Sequence, residues 1–70
     1  MATVDIIIPV YNEDAELARS ISILRQFLKE KYTRPWRITI ADNGSTDDTL
    51  TVAQGLCLEY PEVSCLHLEQ

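Results

Sequence analysis

The sequence predicts an α/β fold, a small parallel sheet laid down in the order β-α-β-α-β. Three observations predict it. Apolar, β-branched runs at residues 4–9, 36–41 and 63–68 alternate with two segments whose apolar residues recur at helical spacing. The connections are short, and a strand–helix–strand crossover is right-handed in nearly all cases, which makes neighbouring strands parallel. The composition is that of a folded domain: 46% hydrophobic and 24% charged over 70 residues.

The first strand reads Val-Asp-Ile-Ile-Ile-Pro. Three consecutive isoleucines place apolar side chains on both faces, as in a parallel strand covered on both sides. Residues 10–12 form a loop. Glu13, Asp14 and Glu16 then stand where the first turn of a helix favours negative charge. Leu17, Ile21, Leu24 and Leu28 line one helical face, and Ile23 and Phe27 are expected to widen it. Lys29 and Lys31 suit the helix C-terminus, and Thr33-Arg34-Pro35 breaks it. The second strand carries Ile38 and Ile40 on one side and Thr39 and Ala41 on the other. Asp42 to Thr46 is a turn by composition. Ser45 with Asp48 fits a variant capping box, with Asp47 and Asp48 as first-turn acids of the second helix. Leu50, Ala53, Leu56, Cys57 and Tyr60 give that helix its apolar face, Pro61 stops it, and residues 63–68 form the third strand. Trp36 is expected to pack between helix and sheet.

A spatial order of 3-2-1 puts both helices on one face of the sheet, and 2-1-3 puts one on each. Either leaves apolar strand surface short of cover. The expectation is therefore that residues 1–70 are the N-terminal portion of a larger α/β domain.

Charge and composition exclude several function classes. Eleven acidic against six basic residues give a net charge of −5, which argues against a nucleic-acid partner. No apolar run approaches a membrane span, and the N-terminus lacks the basic and apolar regions of a signal peptide. Cys57 and Cys65 cannot build a disulfide framework and are read as reduced thiols of a cytoplasmic chain. With the lone His67 they match no zinc spacing, and no metal site is assigned.

Ligands of open α/β sheets bind beyond the carboxyl ends of the strands. Two loops lie there, at residues 9–13 and 42–46. Tyr11 offers a ring and a hydroxyl, Asn12 donors and an acceptor, and Asp42 an acceptor carboxylate suited to a ribose diol or a base N–H. Gly44 allows positive φ and close backbone approach. Asn12 and Ser45 read equally as helix caps, and His67 has no partner visible in the sequence. A dinucleotide Gly-x-Gly-x-x-Gly, a P-loop and a Gly-x-Ser-x-Gly elbow are all absent from the chain.

Taken together, Ile7-Ile8-Pro9-Val10-Tyr11-Asn12-Glu13 and, about thirty residues on, Ala41-Asp42-Asn43-Gly44-Ser45-Thr46-Asp47-Asp48-Thr49 resemble the opening of family 2 glycosyltransferases. Within that family the chain is most similar to enzymes that glycosylate polyprenyl phosphates, such as dolichyl-phosphate mannosyltransferases. The resemblance implies the opening of a GT-A, Rossmann-like nucleotide-binding domain. It implies that Pro9, Tyr11 and Glu13 line a nucleotide pocket, with Asp42 as its main polar contact. Asn43 stands where many members have Asp. The partners implied are a nucleotide-diphosphate sugar and a polyprenyl phosphate acceptor, the latter reached at a membrane surface. The divalent metal (Mg or Mn) expected for the parent enzyme is bound in the family by an Asp-x-Asp, and this chain contains none. Metal ligands and catalytic base are thus expected downstream, no catalytic residue is assigned, and the 70-residue chain is expected to be inactive alone. A non-catalytic nucleotide-binding α/β module is the alternative.

Overall fold

The computed structural model describes residues 2–68. Five elements follow one another: β1 (Val4–Val10), α1 (Leu17–Lys31), β2 (Trp36–Asn43), α2 (Thr49–Glu59) and β3 (Val63–Leu68). The α/β class and the element order are those expected. The first two strands run one and two residues further than their apolar cores, so that Val10, Asp42 and Asn43 are strand residues.

The sheet has the order β1-β2-β3, and both pairings are parallel. Of the two orders open to the sequence, this is the one that places both helices on one face. A single core results: Leu17, Ile21 and Leu28 of α1 and Ala53 and Leu56 of α2 close over Val10, Ile38, Ile40 and Val63. Trp36 packs against this cluster. Among the described residues nothing covers the opposite face, and Ile7, Leu66 and Leu68 stand exposed on it.

Both helices start later than expected. The residues before α1 form a turn in which the Glu16 and Leu17 amides donate to the Glu13 carbonyl, so Glu13, Asp14 and Glu16 precede the helix. α2 begins at Thr49 with Asp48 as its flanking residue, and neither Asp47 nor Asp48 lies in its first turn. Ile23 and Phe27 do not widen the buried face of α1; they are more than half exposed. A sheet of three strands offers α1 only one stripe of contact. The flank is taken by Arg25, whose Nε donates to the Glu62 carboxylate and whose guanidinium lies 3.7 Å from the centre of the Tyr60 ring. This contact pins α1 to the turn between α2 and β3. Cys57 and Cys65 are free, half-buried thiols, and burial together with the neighbouring Cys65 pushes Cys57 up to about 11.

Candidate functional site

Parallel strands bring the β1–α1 and β2–α2 loops to the same edge of the sheet. There the two loops clasp each other through Asn12. Its backbone adopts φ 49°, a left-handed conformation that Asn tolerates better than most residues. The turn aims its side chain at the second loop, where Oδ1 accepts from the amides of Thr46 at 2.8 Å and Asp47 at 3.3 Å. The Asn12 amide in return donates to the Ser45 hydroxyl at 2.9 Å, and the Glu13 amide to the Thr49 hydroxyl at 2.8 Å. A longer reciprocal pair joins Asp14 and Asp47–Asp48: each loop's carboxylate accepts an amide of the other at 3.4 Å. Gly44, at φ 72°, supplies the second left-handed turn. Asn12 and Ser45 are therefore not helix caps; neither helix has a side-chain cap hydrogen bond. Asp47 is exposed but precedes α2 rather than lying in its first turn. Burial, the largest single effect, pushes its carboxyl upward, but the bonds it accepts from the Thr49 amide and hydroxyl and from the Asp14 amide together outweigh it and hold it below its usual value.

Beneath this clasp lies Asp42. In the strand register Val10, Asp42 and His67 stand side by side on the helix-covered face, at the carboxyl end of all three strands. Asp42 is 0% exposed. Its Oδ2 accepts from His67 Nδ1 at 2.8 Å, while its Oδ1 is buried without a hydrogen-bond partner among the described residues. Burial pushes the carboxyl upward, but the nearby Ser45 hydroxyl and amide and the His67 side chain outweigh it, so the group sits below its usual value and ionised. A buried carboxylate with one empty acceptor position is costly, and a ligand N–H or O–H is what would relieve it.

The other candidates are distributed around this point. Tyr11 is half exposed at the tip of the first loop. Pro9 is exposed and pairs in register with Ala41, which puts it on the sheet face opposite Asp42. The Glu13 side chain lies along an open depression of about 450 Å³ lined by Asn12, Glu13, Asp14, Ala15, Glu16 and Ser20. Three carboxylates make this depression repulsive to a diphosphate. The structure thus gathers Tyr11, Glu13 and Asp42 at one edge and leaves Pro9 behind it. No hydrogen bond joins any of the four to another among the described residues. Among the described residues no group of three or more His, Cys, Asp or Glu is placed to hold a metal ion.

Two residues of the site carried no usable signal in the sequence. His67 lies 25 positions from Asp42, and only the register between β2 and β3 shows that they touch. Thr49, also 0% exposed, looks like any helix-start threonine until its hydroxyl is seen to accept the Glu13 amide.

Comparison with known proteins agrees with the loop motifs. The profile described as Glycosyl transferase family 2 matches residues 5–70. A dolichyl-phosphate beta-glucosyltransferase of Saccharomyces cerevisiae is 41% identical over 54 residues, covering 77% of this chain and 16% of that protein. A second dolichyl-phosphate beta-glucosyltransferase, of Trichomonas vaginalis, is 29% identical over 66 residues, covering 89% of this chain and 20% of that protein. The chain spans about a fifth or less of the length of these curated relatives. The β-α-β-α-β order, both loop motifs and the span of the profile match agree: the chain belongs to glycosyl transferase family 2.

Proposed function

We propose that this chain forms the nucleotide-binding part of a glycosyltransferase that moves a sugar from a nucleotide-diphosphate sugar to a polyprenyl phosphate. The observation that carries the reading is Asp42 Oδ1, an ionised acceptor without a hydrogen-bond partner among the described residues, at the carboxyl edge of the middle strand. A base N–H or a ribose hydroxyl complements it, and the half-exposed ring of Tyr11 supports stacking on a base. Pro9 and Glu13 are assigned to the pocket wall by family resemblance alone. The names of the two relatives support a dolichyl-type phosphate as acceptor. A lipid acceptor would bring the whole protein to a membrane surface; no helix of the described residues is long and apolar enough to cross a membrane. The remaining chemistry, including any divalent cation on the leaving diphosphate, would depend on residues outside this chain.

The test is calorimetric titration of the protein, expressed from its complete reading frame, with uridine, guanosine and thymidine diphosphates. Saturable binding of at least one is expected. Asp42→Asn should weaken it about tenfold or more, the scale of a charge-assisted hydrogen bond. His67 keeps the amide oxygen on its own side, so the amide nitrogen falls where Oδ1 was and turns an acceptor into a donor. Asp47→Asn should cost less affinity, because among the described residues the Asp47 carboxylate accepts only from the Asp14 amide and from Thr49. Binding of none of the three, or equal affinities of Asp42→Asn and wild type, would overturn the assignment. Transfer of labelled sugar to polyprenyl phosphate then separates an enzyme from a binding module.

A further inference from the structure

We propose that His67 is a positioning residue for nucleotide binding: its Nδ1–H holds Oδ2 of Asp42 and thereby fixes Oδ1 as the acceptor presented to the ligand. The inference rests on the nucleotide-binding reading of Asp42. The geometry supports it in three steps. First, the row Val10, Asp42, His67 offers Asp42 a single polar neighbour across the strands, because Val10 is apolar and 2% exposed. Second, the bond is direct, at 2.8 Å, and consumes one carboxylate oxygen while leaving the other bare. Without it the carboxylate is free to turn about its last side-chain torsion toward the Ser45 hydroxyl and amide, which already act on it. Third, the pair reaches from solvent inward. The His67 side chain is 38% exposed and that of Asp42 is 0%, so a ligand arriving at the carboxyl edge meets the imidazole before the acid.

The competing view is that the pair merely pins β3 to β2. Asparagine separates the two views. Its side-chain nitrogen falls close to the position of imidazole Nδ1, so His67→Asn keeps the donor, whereas His67→Leu keeps bulk and loses the donor. The measurement is affinity for whichever of uridine, guanosine or thymidine diphosphate the wild-type protein binds, beside a thermal melt of each variant. His67→Leu is expected to bind about tenfold more weakly and His67→Asn within about threefold of wild type. Because removing the partner of a buried charge also destabilises the fold, a double-mutant cycle provides a second reading. In an Asp42→Asn background, where the oriented acceptor is already gone, His67→Leu should cause little further loss of affinity. Equal binding by His67→Leu and wild type, equal losses in His67→Asn and His67→Leu, or an undiminished loss in the Asp42→Asn background each overturn the inference while leaving the nucleotide site standing. A wild-type protein that binds no nucleoside diphosphate overturns the nucleotide reading and this inference with it.

Discussion

The two faces of the sheet are built from the same three strands and meet opposite fates. On β1, Ile6 and Ile8 pack against the core while Ile7 between them is 65% exposed. On β3, Val63 is 3% exposed and Leu66 52%. The difference does not lie in the residues, since adjacent isoleucines differ as much as any pair. It lies in the connections. Two right-handed crossovers that step across the sheet in the same direction, β1 to β2 to β3, drop both helices on the same side. The open face is polar toward the amino end of the strands, where the Thr39 hydroxyl donates to the Asp5 carboxylate and Arg37 donates to the Ser64 hydroxyl. Ile7 sits level with Thr39 and Ser64, and beyond them toward the carboxyl end Leu66 and Leu68 are exposed. Burial in this sheet is thus decided by topology first and by side-chain type second.

The largest test of that contrast is Ile40→Ala. Ile40 is 0% exposed in the middle of the central strand, between Ile8 and Cys65 in register. Truncating such a side chain costs about 2–5 kcal/mol from lost transfer energy and the cavity left behind. A chain of this length has about 3.5–10 kcal/mol of stability in all, at roughly 0.05–0.15 kcal/mol per residue. Denaturant titration should show a large fall in the midpoint or loss of the cooperative transition. A loss below about 1 kcal/mol would mean that the helices do not close over this face as tightly as the burial implies.

Much of the fold was legible in the sequence because strand and helix periods differ and prolines mark the breaks. Leu17, Ile21, Leu28, Ala53 and Leu56 could be assigned to the core on spacing alone, and all are buried. The choice of strand order was not legible. Ile6-Ile7-Ile8 has no alternation that would tell a covered face from a bare one. Ile23 and Phe27 show the same limit on α1: they are apolar and adjacent to the buried stripe, but the sheet is too narrow to reach them. At the site, the loop positions and Asp42 were readable because ligands of open α/β sheets gather at the carboxyl edge. The clasp was not. A side-chain oxygen accepting a backbone amide is the chemistry of a helix cap, and sequence does not say that the amide belongs to a loop 34 residues away. His67 was missed for the corresponding reason, since parallel register is set by packing and not by any local pattern.

Asn12→Ala tests the polar edge against the apolar core and should have an intermediate effect. It removes the acceptor of the Thr46 and Asp47 amides and forces alanine into a left-handed conformation. Both amides are exposed to water, which replaces part of what is lost. A cost of about 1–2 kcal/mol is expected. Asn12→Gly keeps the backbone conformation and should recover part of it. Hydrogen exchange should quicken at the Thr46 and Asp47 amides in both variants before it does so in the core strands. Unchanged protection of those two amides would show that the loops are held by something other than Asn12.

The smallest effect is expected at Ile7→Thr, and it is the sharpest probe of the open face. Threonine keeps the branched Cβ and the strand preference, so the backbone of β1 has no reason to change. What changes is one ethyl group for a hydroxyl, on a residue that is 65% exposed. Its partner in register is Thr39, already a polar neighbour on the same face. Because little apolar area leaves or enters water, stability should shift by no more than about 0.5 kcal/mol, a small fraction of the loss at Ile40. The two substitutions compare residues on paired strands and opposite faces, measured by the same denaturant titration. A loss at Ile7 approaching that at Ile40 would mean that the face is covered in solution and that the contrast between the two sides of the sheet does not hold.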